Sequence, residues 1–341
     1  MNIIFDGQVY LFLLAFIMII AGIVKDHNLF GDFFGYFNKK IKSKKALVAS
    51  VSALTGCLPI KGRVTLTAGL LDSMAPKGKG RQKLGVIDYL STHHYYFWSP
   101  LEKTVILPMA AFGLSYSAWL GIIWPLLAVS IAFILAYLIW FVKEDEIKLE
   151  GIRDDIKVSR ITRYVVPYVL GIAGVMAGIH FLWCFGLLTL YYMTVTATFD
   201  YEKILKYIDW KLLGFIAVII AMANYTRVYS PLIHETLNNS GLDITSTSGF
   251  LLVSLMSFIG SFLLGSSSRF AAITVLLVSI YGIAYLPWFF AVDFCGYILS
   301  PMHKCLAIGK GYFKTPLKYY LTTLIIWCSI VVLTGGVMLY A

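Results

Sequence analysis

Two Ser-Pro pairs lie in apolar stretches of this 341-residue chain, and each is followed by a lysine. The first stretch reads FWSPLEK (97–103) and the second reads ILSPMHK (298–304). Proline inside a helix removes a hydrogen bond and costs about 3 kcal/mol, whereas serine and proline suit the N-cap and first turn of a new helix. We therefore expect two broken helices whose second halves begin at Ser99-Pro100 and Ser300-Pro301. Each start presents free N–H groups and a positive dipole end, which favour an anion.

Basic side chains near the breaks point to the same kind of ligand. Lys103 and Lys304 directly follow the breaks, and a simple proline kink, which is the alternative interpretation, does not account for them. Charges within membrane helices are costly and functional by default. The cations of this region outnumber its carboxylates by three, and a bound anion would relieve that excess. The cations are Lys61, Arg63, Lys103, Arg269 and Lys304, and the carboxylates are Glu102 and Asp293.

Polar residues at two predicted hairpin tips complete the predicted substrate site. Arg63 and Arg269 can hold a carboxylate or phosphate in bidentate fashion. Alternatively, Arg63 pairs with Glu102 and Arg269 pairs with Asp293. The small tip residues can line the site or only allow close packing. The predicted substrate-binding residues are Thr55, Cys57, Arg63, Ser99, Glu102, Lys103, Ser266, Ser267, Ser268, Arg269, Ser300, His303 and Lys304.

Three titratable residues are candidates for coupling transport to an ion. They are the carboxylates of Asp293 and Glu102, and His93, which can titrate in a cavity or be an ordinary packed histidine. His93 and His94 are neighbours, so they face different sides of a helix and their spacing gives no metal site. We predict no catalytic residue, no metal and no cofactor other than a coupling ion, H⁺ or Na⁺.

The composition predicts the elements that must position these residues. Hydrophobic residues make up 59% of the chain and charged residues only 13%, against about 25% in soluble proteins. Several apolar runs reach the roughly 20 residues that span a bilayer as a helix. The fold class is therefore an all-α polytopic membrane protein with about eight transmembrane helices. They are expected at 8–24, 85–113, 115–142, 163–179, 181–198, 211–229, 284–312 and 317–340.

The basic clusters predict the orientation and two re-entrant hairpins. Lysine- and arginine-rich short loops stay in the cytoplasm, and such loops flank the apolar segment 46–71 on both sides. We therefore expect 46–71 to enter and leave on the cytoplasmic side, and 247–283 to form a second hairpin with its tip at 265–269. The net charge of +10 is then a positive-inside signal, which indicates membrane lipid and no nucleic acid. Both termini are expected outside a cell inner membrane.

The two halves of the sequence resemble each other in order. Residues 13–17 resemble 212–216, Arg63 matches Arg269, and Ser99-Pro100 matches Ser300-Pro301, at offsets of 199, 206 and 201. We predict an inverted repeat, which is typical of secondary transporters with a site at the midplane. Residues 1–142 form the first repeat, 143–204 a cytoplasmic linker and two connecting helices, and 205–341 the second repeat.

Two segments carry a resemblance to a known family. TGCLPIKGR with IDYLSTHHYYFWSPLEKTVILPMAAFGLSY, and LSPMHKCLAIGKGYFK, resemble the ion-transporter superfamily, closest to an uncharacterised prokaryotic membrane family beside the gluconate permeases. The resemblance implies facing helical hairpins, a dimer, elevator-type alternating access, and a site at the tips and breaks. The tips lack the Ser-Asn-Thr of sodium-coupled members, which leaves proton coupling open.

The expected function is secondary active transport of a small anion, an organic carboxylate, a sugar acid or an inorganic oxyanion, and not an enzymatic reaction. Two alternatives use the same basic cavity: a membrane scaffold or sensor, and an enzyme acting on a lipid-linked or phosphorylated substrate. Against the enzyme, the sequence has no HExxH and no paired carboxylates in one tip.

Overall fold

The computed structural model describes residues 3–27, 29, 36, 40–41, 43–56, 71, 79–147, 157–241 and 243–340. Within these ranges the chain is helical and contains no strand. The helices are α1 (Ile3–Asp26), α2 (Lys44–Gly56), α3 (Lys79–Ser91), α4 (Tyr95–Trp98), α5 (Lys103–Phe112), α6 (Tyr116–Phe141), α7 (Val166–Met176), α8 (Phe181–Val195), α9 (Tyr201–Tyr207), α10 (Trp210–Val228), α11 (Ser230–Asn239), α12 (Thr247–Leu264), α13 (Ser267–Tyr281), α14 (Leu286–Leu299), α15 (Lys304–Phe313) and α16 (Leu317–Tyr340). A short turn at Val158–Arg160 and a π-helical segment at Ile161–Val165 lead into α7.

Five of the described helices are long and apolar enough to cross a membrane, and the all-α class is confirmed for the described residues. They are α1, α6, α10, α12 and α16. A sixth span is obtained if 283–299 and 304–313, which are bent by 41° at a break, count as one. α8 and α13 are apolar but shorter, with 15 residues each. The predicted count of about eight spans stays a prediction.

Helix α14 forms the centre of the bundle. Most of its residues are buried, and it packs against α12, α13, α16 and α6. Its contact with α12 is close, because a Cβ added to Gly296 would lie 2.5 Å from the carbonyl oxygen of Phe258. A second close approach brings α16 to α14, where a Cβ on Gly335 would lie 3.0 Å from the Cβ of Ala291. Glycine at both positions lets three helix backbones meet.

The charged segments meet at one end of the bundle. The ammonium of Lys44 donates to the carbonyl of Ile147 at 2.7 Å. Lys83 pairs with Glu146 at 2.8 Å, and Lys203 pairs with Asp26 at 3.2 Å. The first two contacts join the starts of α2 and α3 to the segment after α6, and the third joins the end of α1 to helix α9. α1 and α6 begin side by side, where the hydroxyl of Tyr10 donates to the carbonyl of Leu114 at 3.1 Å, so both groups lie at the same end. The sequence assigned the basic segments to one side of a membrane, and the described members lie together accordingly.

The long helices of the two halves run in opposite directions. α1 ends at the charged end, where α9 and the start of α10 pack against it. α6 ends there too, and Tyr137 near its end lies close to the start of α16. Further along, the rings of Phe133 and Trp327 stack at 6.5 Å. α1 therefore runs antiparallel to α10, and α6 antiparallel to α16, which is the relation that an inverted repeat requires.

Candidate functional site

The first break separates α4 from α5 by four residues. Ser99 ends α4 with an extended ψ of 121°, and its N–H donates to the carbonyl of Tyr95 at 2.9 Å. Steric contact with Pro100 explains the extended angle, because the residue before proline avoids the helical region. A turn then closes from the N–H of Glu102 to the carbonyl of Ser99 at 3.0 Å. α5 begins at Lys103, so Glu102 is its N-cap residue, and the predicted start at Ser99 was wrong by one turn.

The second break has the same construction. Ser300 ends α14 with a ψ of 127°, and the N–H of His303 donates to its carbonyl at 3.1 Å. α15 begins at Lys304, with His303 in the N-cap position. The predicted helix start at Ser300 is therefore also wrong, for the same reason. Neither Glu102 nor His303 makes a side-chain capping hydrogen bond.

Side chains close the carbonyl ends that the breaks create. The indole N–H of Trp119 donates to the carbonyl of Phe97 at 2.8 Å, and the hydroxyl of Tyr116 donates to that of Trp98 at 2.6 Å. In the second break, the hydroxyl of Tyr89 donates to the carbonyl of Ile298 at 2.9 Å. A freed carbonyl at membrane depth is tolerated only when such a partner covers it.

The two breaks lie against each other. The hydroxyls of Tyr96 and Tyr297, each three residues ahead of its break, are 2.7 Å apart. The ring of Phe270, near the start of α13, packs edge-on against Tyr96 and at 5.2 Å from Tyr297. The turn between α12 and α13 therefore lies at the same level as both breaks.

That turn packs directly onto the second break. Gly265 ends α12 in the left-handed region, with φ +52°. A Cβ there would lie 2.7 Å from the Cβ of Met302 and 2.9 Å from the hydroxyl of Ser300. Glycine is thus required twice, for the backbone angle and for the space. The predicted tip residues Ser266, Ser267 and Ser268 follow it and are half-buried, and the hydroxyls of Ser266 and Ser268 are 3.2 Å apart.

A buried carboxylate lies between the hairpin and α14. Asp293 is fully buried and accepts hydrogen bonds from Ser257, from Ser261 at 3.1 Å and from Thr274 at 2.6 Å. These donors come from α12 and α13, so the carboxylate joins both arms of the hairpin to α14. The alternative ion pair with Arg269 is wrong: Arg269 is exposed, and no ion pair joins these two described residues.

A cluster of rings surrounds the histidines of the two breaks. His93 is buried, its Nδ1 hydrogen-bonds to the carbonyl of Tyr89, and its Nε2 is 3.2 Å from Nε2 of His303. His303 stacks on Tyr297 at 4.1 Å, and its Nδ1 is 2.7 Å from the hydroxyl of Tyr89. His94 faces elsewhere and accepts from the indole of Trp98 at 2.8 Å. The two neighbouring histidines do face different sides.

A family model described as "Protein of unknown function (DUF401)" matches residues 4–340. The chain belongs to the DUF401 family. No curated protein matches it. The match covers both breaks, the hairpin and Asp293, so the site described above lies wholly within the DUF401 region.

The structure of the DUF401 chain brings only part of the predicted site together. Ser300 lies against Gly265 of the turn, His303 belongs to the same break, and the first break reaches the second through the Tyr96–Tyr297 and His93–His303 contacts. The predicted cations lie at the edge of this region, because Lys103 is half-buried while Lys304 and Arg269 are exposed. Ser99 and Glu102 are buried in the first break. Cys57, Lys61 and Arg63, and the side chain of Thr55, lie outside the described residues.

Several residues of this DUF401 site were missed by the sequence analysis. Tyr96 and Tyr297 differ by 201, the offset that relates the Ser-Pro pairs, so extending the repeat by three residues would have paired them. Ser257 and Ser261 are four apart in an apolar helix and thus share one face, which is a signal for a buried polar partner. The structure also contains a cavity of about 450 Å³ at the charged end, lined by His27, Arg160 and Arg163 among others. Apart from the charge of these residues, nothing in the sequence pointed to it.

Proposed function

We propose that the protein is a secondary active transporter of a small anion, working by elevator-type alternating access. The observation that carries this proposal is the meeting of two helix breaks beside a helical turn. Interrupted helices whose half-helix ends face a shared centre are the usual binding sites of transporters with inverted repeats. The antiparallel relations of α1 to α10 and α6 to α16 support such a repeat.

The charges at the breaks favour an anionic substrate. α5 and α15 both begin with a lysine, Lys103 and Lys304, so each helix start combines a cation with the positive end of a helix dipole. The carbonyl ends of the opposite half-helices are covered by Trp119, Tyr116 and Tyr89 and do not offer an equivalent cation site. The exposure of Lys304 and Arg269 leaves them accessible to a substrate.

Asp293 is the proposed coupling group. It is a buried carboxylate whose described partners are hydroxyls, and it connects α12 and α13 to α14. Oxygen atoms that bind a calcium-sized cation lie about 2.4 Å from the ion and therefore about 3.4 Å from each other. Sodium is of similar size. The carboxylate oxygens lie 2.6 and 3.1 Å from the hydroxyls of Thr274 and Ser261, which is closer than that spacing and typical of shared hydrogens. We therefore assign the coupling role to a proton.

The membrane setting completes the proposal. We assign the charged end of the bundle to the cytoplasm because of its lysines and arginines, and the termini would then lie outside a cell inner membrane. The resemblance to the ion-transporter superfamily adds a homodimer, in which the two copies would form the fixed scaffold of the elevator.

Ligand-dependent thermal unfolding of detergent-solubilised protein tests the proposal. The panel comprises mono- and dicarboxylates, sugar acids, phosphate, sulfate and phosphonates, in sodium and in potassium, at two pH values. An anion at 100 times its Kd stabilises the fold by about 2.7 kcal/mol, and a stabilising anion should also be taken up by proteoliposomes.

A matched pair of variants on one helix tests the site. Lys304→Gln removes an exposed charge at the break and should weaken the stabilising anion at least tenfold. Lys310→Gln removes an exposed charge from the same helix, away from the break, and should leave binding unchanged. If no anion stabilises the wild type, or if both variants bind the anion equally well, the proposed anion site is rejected and the scaffold and enzyme alternatives are favoured.

A further inference from the structure

The hydrogen-bond network between the two breaks needs one more hydrogen than its neutral side chains supply. The carbonyl of Tyr89 can only accept, so Nδ1 of His93 carries a hydrogen and Nε2 of neutral His93 is a lone pair. Three of the further contacts described for these groups are Tyr89 hydroxyl to Ile298 carbonyl, Tyr89 hydroxyl to Nδ1 of His303, and Nε2 of His93 to Nε2 of His303. They need three hydrogens, whereas a neutral Tyr89 and a neutral His303 supply two.

Two arrangements make up this deficit. One is an extra proton on His303, which would place an imidazolium in a site where both histidines are buried. The other is a metal ion held between the two Nε2 atoms, while Tyr89 donates to Ile298 and accepts from Nδ1 of His303. Burying an unpaired charge is costly, and a metal ion differs from the extra proton in that it can bind an anionic side chain directly.

Such a ligand stands next to the histidines. Cys305 is the second residue of α15, and the ligand atoms of His93, His303 and Cys305 lie within 4.8 Å of one another. Two nitrogens at about 2.0–2.1 Å from a tetrahedral zinc ion are about 3.4 Å apart, and the two Nε2 atoms are 3.2 Å apart. Imidazole nitrogen and thiolate sulfur are ligands that zinc and other late transition metals prefer.

The surroundings of the histidines match a metal site in a further respect. Metal-binding histidines nearly always donate their second N–H to a carbonyl or another polar partner, which fixes the ring. Here the carbonyl of Tyr89 holds Nδ1 of His93, and the hydroxyl of Tyr89 holds Nδ1 of His303. The rings of Tyr89 and Tyr297 stack on the two imidazoles at 4.2 and 4.1 Å, which restricts their rotation.

We propose that His93, His303 and Cys305 bind one zinc-class transition-metal ion between the two helix breaks. One histidine comes from each break, so the ion would connect the two halves of the chain. The half-burial of Cys305 gives the ion a route of entry and leaves room for a fourth ligand. The proposal does not depend on which substrate the protein carries.

Metal binding to the purified full chain tests this proposal. After treatment with a chelator, the protein is titrated with Zn²⁺ alone and the bound metal is counted. We expect one Zn²⁺ per chain. Replacement of zinc by Co²⁺ should give a thiolate-to-cobalt charge-transfer band, a readout that needs only the wild-type fold.

Matched variants distinguish this site from adventitious binding. His303→Gln and Cys305→Ser should each weaken Zn²⁺ at least tenfold, and Cys305→Ser should abolish the charge-transfer band. His94→Gln and Cys184→Ser, which alter the neighbouring histidine and a distant cysteine, should leave both unchanged. Absence of Zn²⁺ binding in the wild type would overturn the proposal in favour of the extra proton. Binding that survives in His303→Gln, or a cobalt spectrum without thiolate, would also overturn it.

Discussion

The hydroxyl groups of Tyr96 and Tyr297 lie 2.7 Å apart in the interior of the bundle. Tyr96 is three residues before Ser99, and Tyr297 is three residues before Ser300, so the two tyrosines occupy the same place relative to their breaks. Residues related by a twofold axis can touch directly only close to that axis. The contact therefore indicates where the axis of the proposed inverted repeat passes, between the two broken helices.

Phenylalanine substitutions at the two tyrosines should not be additive. Tyr96→Phe or Tyr297→Phe removes the same buried hydrogen bond, which contributes about 1 kcal/mol. Each single change also leaves the hydroxyl of the other tyrosine without this hydrogen bond, which adds to the cost. The double variant loses the bond only once. We expect its free energy of unfolding, measured by thermal unfolding in detergent, to fall by less than the sum of the single changes, with a coupling of about 0.5–3 kcal/mol. Additive losses would mean that the hydroxyls are not paired.

Alanine at Gly265 should be far more damaging than alanine at Gly113. Both glycines end a helix in the left-handed region, with φ +52° and +64°, so both substitutions carry the same backbone strain of about 1–2 kcal/mol. A Cβ at Gly113 would meet open space, whereas one at Gly265 would collide with Met302 and Ser300. The excess loss of thermal stability and of transport in Gly265→Ala measures the contact between turn and break. Equal losses in the two variants would contradict that contact.

Removing the ionisable group at Asp293 should uncouple transport from the proton gradient. Asp293→Asn keeps the size of the side chain and can still bond Ser257, Ser261 and Thr274, but it cannot bind and release a proton. Exchange of substrate across proteoliposomes without a pH gradient should continue, while accumulation driven by an imposed gradient should be lost. Glu235→Gln, which neutralises an exposed carboxylate on α11, serves as the control. Gradient-driven accumulation that persists in Asp293→Asn would assign the coupling to another group.

Trp119 should stabilise the first break through its indole N–H. Trp119→Phe leaves the carbonyl of Phe97 without this donor, and a buried polar group left unsatisfied costs about 1–3 kcal/mol. Trp124→Phe is a matched change, because Trp124 lies on the same helix but is 60% exposed. Thermal unfolding in detergent should show a clear loss for Trp119→Phe and little change for Trp124→Phe. A similar loss of thermal stability in both variants would contradict the stabilising role of the Trp119 indole N–H.

The sequence predicted the long helices well because their signal is local. Apolar runs of sufficient length mark α1, α6, α10 and α16, and their bounds differ from expectation by a few residues. The Ser-Pro pairs predicted both breaks, but not the turn that places each new helix at the lysine. A proline tells where a helix must stop, whereas the hydrogen bonds of the following turn decide where the next one begins.

The side-chain partners of the site could not be predicted in the same way. An ion pair of Asp293 with Arg269 was one of the alternatives that the sequence left open, yet the described partners of Asp293 are three hydroxyls. Which face of α12 meets α14 depends on the close packing at Gly296, and this is not encoded in local spacing. Likewise, His93 contacts His303, which is 210 residues away in the sequence. The spacing of His93 and its neighbour His94 could not reveal this contact.

The donors that close the two breaks imply an order of assembly. The carbonyls of the first break are covered by Thr104, Tyr116 and Trp119, which all follow it within the same half of the chain. The carbonyl of Ile298 in the second break depends on Tyr89, made more than two hundred residues earlier. During synthesis, the donors to the carbonyls of the first break are therefore all present as soon as α6 has emerged from the ribosome. The second can do so only by docking onto a first half that is already in place.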